Sequence, residues 1–175
     1  MKLTFFLKSE DFLIFQLFTA SQSESIQRKR RRGQIFLSLG SLAFALFFYI
    51  GNNTFLAGYF LIFAFATYIF YPRYFKWRYH KHYQKHIREN YEKRLNVKQE
   101  LQIEKDKILL KDKTGEASVK IEEVEEITEI ADYFFLKLST GVSLILPKQS
   151  ISADEVREKL KSLNLRILDH TDWKW

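Results

Sequence analysis

The chain has 175 residues, about the length of one domain, and it contains no cysteine, which excludes disulfide bonds, thiolate metal sites and cysteine nucleophiles. The formal net charge is +7, but residues 1–95 carry 15 Lys/Arg against 5 Asp/Glu, whereas residues 96–175 carry 13 against 16. A basic first half beside apolar segments favours anionic lipid headgroups over nucleic acid as a partner.

The N-terminal region, residues 1–33, is predicted to form a short strand and a basic helix on the cytoplasmic side. Leu3–Leu7 has the composition of a strand. Ser9 suits a helix N-cap, and Glu10 and Asp11 follow in the first turn, where the helix dipole favours carboxylates. The helix is expected to run to a basic cluster and to join the next helix with little break at Gly33. The cluster consists of Arg28, Lys29, Arg30, Arg31 and Arg32.

Two apolar blocks follow, Gln34–Ile50 and Thr54–Tyr71, and neither contains Asp, Glu, Lys, Arg or His. At 1.5 Å of rise per residue each block spans roughly 26 Å, close to the thickness of a hydrocarbon core of about 30 Å. The short link Gly51-Asn52-Asn53 is rich in turn formers. The pattern predicts a transmembrane helical hairpin over residues 34–71, with a buried hairpin in a soluble protein as the alternative.

The charges that flank the two blocks predict their orientation. The basic cluster precedes the first block, five more cations follow the second, and the link between the blocks is uncharged. By the positive-inside rule, both termini of this two-span cell-membrane protein are then cytoplasmic and the link lies outside. Aromatic residues near the block ends are predicted to be interfacial anchors. They are Tyr49, Tyr59, Tyr68, Tyr71, Tyr74 and Trp77.

Residues 72–95 are predicted to form a basic juxtamembrane helix, with Pro72 at its boundary. The cations on both sides of the hairpin are candidates for contact with anionic lipid, although they would also fix the orientation without binding a specific lipid. These candidates are Arg28, Lys29, Arg30, Arg31, Arg32, Arg73, Lys76, Arg78, Lys81 and Lys85. His80, His82 and His86 lie close together, but further metal ligands are missing from the same helix face apart from Glu89, so no metal site is predicted.

Residues 96–175 are predicted to form a cytoplasmic antiparallel β domain, which makes the fold class α+β. Six alternating segments indicate strands, with turns at Asp112–Gly115 and Ser139–Gly141, and Ser152–Glu155 has the spacing of a capping box before a helix over residues 153–163. Leu3–Leu7 could add a seventh strand to these six, and Leu165–Leu168 could form a short final strand. Element order of this kind is that of a pleckstrin-homology-like sheet or partial barrel closed by one C-terminal helix.

No pattern of catalytic residues is recognisable, and no cofactor or enzymatic activity is predicted. The acidic run Glu122–Glu126 is interpreted as a solvated connector, and Gly40, Ser41 and Ala45 would allow close approach of the two helices. Because the spans lack charged residues, the pattern favours an anchor over an ion path. The tail Trp173-Lys174-Trp175 could fold back onto the domain, enter the headgroup region or bind a partner.

Several residue patterns along the chain resemble those of the YcxB-like family of small bacterial membrane proteins. The patterns are Leu3-Thr4 with Asp11-Phe12, the Tyr-Pro start and Arg/Lys/His-rich course of Tyr71–Tyr83, Tyr133–Leu136, and Ser143–Lys148. The resemblance implies a membrane protein with a cytoplasmic domain and no assigned activity. The expected function is a membrane-anchored interaction or regulatory module, with an unknown protein partner or self-association. The alternative is a subunit of an oligomeric channel or transporter.

Overall fold

A computed structural model describes residues 1–113 and 115–175, so Thr114 of the predicted Asp112–Gly115 turn lies outside the described residues. The protein has an α+β architecture with four α-helices and eight strands in the described part of the chain. In chain order these elements are β1 (Lys2–Phe6), α1 (Ser9–Gln22), α2 (Glu24–Ile50), α3 (Thr54–Asn90), β2 (Lys98–Ile103), β3 (Lys107–Asp112), β4 (Gly115–Lys120), β5 (Val124–Glu129), β6 (Tyr133–Leu138), β7 (Ser143–Pro147), α4 (Ala153–Ser162) and β8 (Ile167–Asp169).

The chain divides into two compact units. One unit comprises Met1–Phe15 and Gln84–Lys174 and holds all eight strands and α4; we call it the β domain. The other comprises Gln16–Tyr83 with Trp175 and holds α2 and most of α3; we call it the hairpin unit.

The β domain consists of two four-stranded sheets, with strand orders β1-β2-β3-β4 and β7-β6-β5-β8. The N-terminal strand pairs antiparallel with β2, with Leu3 opposite Leu101, so the first residues of the chain complete a sheet formed after the apolar helices. The predicted β6–β7 hairpin is confirmed: the Leu138 N–H donates to the Val142 carbonyl oxygen at 2.8 Å, and Gly141 takes a left-handed φ of +79°. Fully buried side chains of both sheets and of α4 form the core.

The prediction of one antiparallel sheet or partial barrel of seven strands differs from the structure in two ways. The strands form two separate sheets, and the last strand pairs parallel to β5, with Ile127 opposite Ile167. Strands β5 and β7 run in the same direction, and α4 connects β7 to β8. Parallel strands of one sheet need a crossover connection of this kind, so α4 accounts for the parallel pairing of β8 with β5. This helix buries Val156 and Leu160 completely.

The predicted continuation of the first helix into the basic cluster is wrong, since α1 ends at Gln22. Ser23 starts a new helix: its hydroxyl oxygen accepts from the Ile26 N–H at 3.5 Å, and Glu24 occupies the first turn. A serine cap followed by a carboxylate satisfies free N–H groups and favours a helix start at this point. The basic cluster therefore lies inside α2, which runs through Gly33 without a break.

The link between the two long helices has the geometry of a tight turn. Helix α2 ends at Ile50 and α3 begins at Thr54. Asn52 adopts a left-handed φ of 58°, a conformation that asparagine tolerates better than most residues. The Asn53 side-chain oxygen accepts from the Leu56 N–H at 3.1 Å and caps α3.

Pro72 does not form a helix boundary, contrary to the prediction, because α3 continues through it to Asn90. A proline inside a helix leaves the carbonyl four residues earlier without its N–H donor. That carbonyl belongs to Tyr68, and its oxygen accepts from the Gln34 side-chain amide at 2.8 Å. The apolar block and the basic segment are thus a single 37-residue helix.

Candidate functional site

The two long helices of the hairpin unit contact each other at both ends. Near the turn, the rings of Phe48 and Phe60 stack with centroids 5.5 Å apart. At the opposite end, the Gln34 side chain reaches Tyr68, and Gly33 lies so close to the Tyr71 hydroxyl that an added Cβ would be 2.1 Å from it. The helices are therefore antiparallel neighbours, and the basic cluster before Gly33 lies at the same end as the cations that follow Tyr71.

Both long helices carry small buried residues. Ser41 and Ala45 were predicted to allow close approach, and both are buried, together with Ser38, Ala57 and Ala64. Gly40, the third predicted residue, has open space around its Cα. The Ser41 hydroxyl donates to the Leu37 carbonyl oxygen at 2.7 Å, whereas the Ser38 hydroxyl has no partner among the described residues.

Large apolar side chains cover the outside of both helices. Phe36, Phe55 and Ile62 are 79%, 83% and 72% exposed. Both helices are long and apolar enough to cross a membrane, and little of either apolar segment is buried within the protein. Contiguous exposed apolar surface of this extent is rare on soluble monomers and indicates an apolar environment or a partner.

The part of α3 beyond Pro72 has two different faces. Tyr71, Phe75, Tyr79 and Tyr83 recur every four residues, and successive ring centroids are 6.3, 4.4 and 6.0 Å apart. The cations lie mainly on the exposed side, where the Lys81 ammonium sits 4.4 Å from the centre of the Trp77 ring. A ladder of rings on one side and cations on the other makes this segment amphipathic.

The predicted lipid-contact residues fall into exposed, half-buried and paired groups. Lys29, Arg31, Arg32, Arg73, Arg78 and Lys81 are exposed, and Arg30 and Lys76 are half-buried. Arg28 pairs with Glu24, and Lys85 pairs with Glu89 at 3.8 Å. Nine of the ten cations belong to the hairpin unit, whereas Lys85 belongs to the β domain.

The predicted aromatic anchors occupy both ends of the hairpin unit. Tyr49 and Tyr59 are exposed near the turn, and Tyr68, Tyr74 and Trp77 are exposed near the basic end. Tyr71 is only half-buried, since its ring packs beside Tyr74 and Phe75 with centroids 6.3 Å away in each case. The C-terminal Trp175 also belongs to this unit, where its indole N–H donates to the Lys76 carbonyl oxygen at 3.4 Å.

Two of the three clustered histidines, His82 and His86, have contacts with neighbouring residues of their own helix. His82 lies beside the Tyr83 ring at 5.4 Å, and the Asn90 side-chain amide donates to the His86 carbonyl oxygen at 2.9 Å. Within residues 1–113 and 115–175, no group of three or more His, Asp or Glu is arranged to hold a metal ion.

A hydrogen bond in the β domain links two of the family-like patterns. The Tyr133 hydroxyl donates to one carboxylate oxygen of Asp11 at 2.8 Å, and the other oxygen accepts from the Lys8 N–H at 2.5 Å. Two causes raise the pKa of Tyr133 above its usual value: burial, which is the larger, and this hydrogen bond to a carboxylate. Asp11 thus attaches the start of α1 to strand β6, a structural role that its position in the first helical turn did not reveal.

A buried ion cluster lies between β5, the end of β7 and α4. The Glu129 carboxylate, almost fully buried, accepts from Lys148 at 2.7 Å and from two Arg157 nitrogens at 3.0 and 2.6 Å. Both cations also lie over the Phe134 ring, at 4.9 and 5.9 Å. Hydrogen bonding by Arg157 and then by Lys148 lowers the pKa of Glu129 despite its burial. Every carboxylate oxygen is used, so the cluster is built to hold the elements together.

The β domain also has an open cleft of about 910 Å³. Its walls include β4 of the first sheet and β7 of the second, and its rim carries the cations Lys93, Arg94, Lys111 and Lys113. The sequence did not identify this site, because its residues come from distant segments whose individual patterns are those of ordinary strands and turns.

These features define the class: an α+β protein with two long apolar helices and a double-sheet domain. Residues 103–162, about a third of the chain, match the family model described as YcxB-like protein. The match extends from the end of β2 to the end of α4, so this segment is a YcxB-like domain and the resemblance is confirmed there. No curated protein and no solved structure matches the chain.

Proposed function

We propose that this protein is a membrane-anchored interaction or regulatory module, in which the hairpin unit spans the membrane and holds the β domain at the cytoplasmic surface. The observation that carries the proposal is the contrast between the two units. The hairpin unit leaves Phe36, Phe55 and Ile62 exposed, whereas Phe5, Phe134 and Leu136 of the β domain are fully buried. One unit is thus suited to lipid and the other to water.

The arrangement of charge supports a cytoplasmic β domain. Both basic segments lie at one end of the hairpin, and both connections to the strands leave from that end. The other end carries the uncharged Gly51–Asn53 turn. Positively charged flanks of spans stay on the cytoplasmic side, so this asymmetry orients the module.

The length of α3 implies that its cations lie at different distances from the hydrocarbon core of the membrane. A helix of 37 residues is about 55 Å long, roughly 25 Å longer than a hydrocarbon core. If the core ends near Tyr71 and the helix is upright, Arg73 and Lys76 lie within the headgroup layer, while Lys85 lies about 20 Å beyond the core. Arg73 and Lys76 are therefore expected to contribute more to anionic lipid contact than Lys85.

The order of elements supports a pleckstrin-homology-like organisation of the β domain. Seven strands precede the amphipathic helix α4, as in that arrangement, and β8 follows it as an additional strand. Such a scaffold offers exposed strand edges and loops for partners, and no catalytic role follows from it.

Photo-crosslinking from two positions in native membranes distinguishes the module from a channel subunit. A photoreactive residue replaces exposed Ala117 of β4 in one variant and exposed Ile62 of the hairpin unit in the other. The module predicts defined protein adducts from position 117 and lipid adducts from position 62. A ladder of self-adducts from position 62, with none from position 117, would instead indicate an oligomeric channel or transporter.

Lipid selectivity is tested with the full chain in nanodiscs of mixed neutral and anionic lipid. Arg73→Gln combined with Lys76→Gln should reduce the anionic lipid retained on purification, and added salt should reduce it in the parent chain. Lys85→Gln is the matched control and should change little. Equal losses in both variants would contradict the assignment by depth.

A further inference from the structure

The inner face of the first sheet becomes progressively uncovered toward β4. The strand register aligns Leu3, Leu101, Leu110 and Ala117 in one row, and residues directly opposite each other share a face. Leu3 and Leu101 are buried, Leu110 is half-buried, and Ala117 is exposed. Only part of this apolar face is therefore covered, and the uncovered part, Leu110 and Ala117, lines the cleft.

Two unpaired strand edges flank the cleft. Among the described residues, β4 pairs with β3 alone and β7 with β6 alone, so each is the outer strand of its sheet. Gly115 and Ala117 are small and leave space on the β4 side, while Phe12 and Ile145 supply apolar surface. The exposed backbone groups of an edge strand are a template for pairing with an additional strand.

The charged residues of the cleft are mostly cations. Its lining holds Lys93, Arg94, Lys111 and Lys113 against the two carboxylates Asp112 and Glu116. Lys111 pairs with Glu116, whereas Lys93, Arg94 and Lys113 form no ion pair with any described residue. This excess of cations around an apolar cleft favours an anionic ligand.

We infer that this cleft binds an extended, acidic segment of a partner protein, which adds as a strand between the edges of β4 and β7. Backbone hydrogen bonds to an open edge would provide affinity, and alternating side chains would provide specificity. Apolar side chains on one face of the segment would cover Leu110 and Ala117, and acidic side chains on the other would meet Lys93 and Arg94. The inference rests on the proposed interaction function and names the chemistry of its partner.

Strand addition favours a peptide over a fatty acid as the occupant. A fatty acid would use the apolar floor and one cation but would leave the backbone groups along the edges of β4 and β7 unpaired. An extended peptide would use the floor, the rim and both edges, which is why we assign the cleft to a peptide segment.

The test uses the full chain in nanodiscs of neutral lipid and an array of octapeptides that alternate Asp or Glu with Val, Ile, Leu or Phe. A second array replaces each acidic residue by Lys or Arg. We expect binding to the acidic array alone, with affinity falling as salt rises. In hydrogen exchange, the best peptide should slow the amides of β4 and β7 and leave those of β2 unchanged.

Two matched pairs of variants locate the binding. Ala117→Glu on the cleft side of β4 should weaken binding about tenfold or more, and Ser118→Glu on the other face of the same strand should not. The combined change Lys93→Glu and Arg94→Glu should weaken it similarly, whereas Lys105→Glu, an exposed cation outside the cleft, should not. Unchanged hydrogen exchange of β6 shows that each variant is folded.

Three results would overturn the inference. The first is no preference for the acidic array, and the second is an equal loss of peptide affinity in Ala117→Glu and Ser118→Glu. The third is slower hydrogen exchange of β4 with the fatty acid laurate, added in place of peptide, but with none of the peptides. The anchor is tested separately by labelling its turn. Failure of peptide binding with correct labelling would remove the peptide site alone, and incorrect labelling would remove the proposed function itself.

Discussion

The side-chain amide of Gln34 donates to the carbonyl oxygen of Tyr68, the oxygen that Pro72 leaves without a helical N–H donor. One polar residue of α2 thereby compensates for the one proline of α3. An unpaired backbone carbonyl is costly in an apolar environment, so a side-chain donor allows the helix to continue through the proline. The same bond fixes the pairing of the two helices at their basic end.

A double-mutant cycle tests this compensation. Gln34→Leu should destabilise the segment around Pro72 by about 1 kcal/mol, because the Tyr68 carbonyl loses its donor. In nanodiscs this corresponds to local hydrogen exchange that is about fivefold faster. In a Pro72→Ala background the new N–H can bond to this carbonyl, and Gln34→Leu should have little effect. An equal penalty in both backgrounds would show that Gln34 acts independently of Pro72.

The contact between Gly33 and Tyr71 gives a prediction with an internal control. Gly33→Ala places a methyl group 2.1 Å from the Tyr71 hydroxyl, so the half-buried Tyr71 side chain must move. The overpacking should cancel the helix-propensity gain of alanine and leave the hairpin up to about 1 kcal/mol less stable. Gly40→Ala meets open space and should be neutral or stabilising by up to about 1 kcal/mol. Thermal unfolding of the full chain in detergent measures both. Equal effects of the two substitutions would contradict the close helix approach at Gly33.

The sequence predicted the local elements well where a pattern is periodic or capped. The ends of the apolar blocks at Ile50 and Thr54 coincide with the helix ends, because a turn-forming link separates them. It failed at Pro72, since the donor that rescues the proline lies 38 positions earlier in the chain. It also failed at Ser23, where a local cap outweighed the continuing helical pattern.

The hydrogen bond between Asp11 and Tyr133 should show measurable coupling. Asp11→Ala removes the acceptor for both the Lys8 N–H and the buried Tyr133 hydroxyl, and it should cost about 3 kcal/mol. Tyr133→Phe removes the hydroxyl itself and should cost about 1 kcal/mol. The double variant should lower the free energy of unfolding by clearly less than the sum of the two single variants. Hydrogen exchange of β6 in the intact chain measures all three variants. Additive costs would mean that the two side chains do not interact.

The Glu129 cluster predicts a specific dependence of stability on pH. The folded-state pKa of Glu129 is lowered, so its contribution is fully present above the unfolded-state value of about 4.3 and is lost as the pH falls through the folded-state pKa. Glu129→Gln should cost about 3 kcal/mol at neutral pH, because mostly buried Lys148 loses its carboxylate partner and Arg157 keeps only exposed Asp154. That difference should shrink below about pH 4.

The matched control for this cluster is Glu125→Gln on the same strand. Glu125 pairs with Lys137 at 2.8 Å, and both side chains are exposed, so its loss should cost less than about 1 kcal/mol. Hydrogen exchange of β5 in the intact chain, from pH 7 to pH 3, compares the two variants. A Glu129→Gln difference that does not change with pH would contradict the cluster.

The candidate sites differ in how far the sequence could reveal them. The cations around the apolar blocks could be proposed as lipid contacts from the sequence, because the positive-inside rule depends only on order along the chain. Glu129, Lys148 and Arg157 were missed, since nothing in a strand of alternating residues shows that a carboxylate points inward toward cations from later elements. The cleft between β4 and β7 was missed for the same reason, because strand order is not encoded locally.

The most direct test of the anchor is cysteine labelling in intact cells, for which the cysteine-free chain gives a clean background. Asn52→Cys marks the turn of the hairpin, and Ser118→Cys marks an exposed strand of the β domain. A membrane-impermeant maleimide should label position 52 in intact cells and position 118 only after the membrane is permeabilised. Labelling of position 118 in intact cells, or protection of position 52, would contradict a hairpin that anchors the β domain at the cytoplasmic surface.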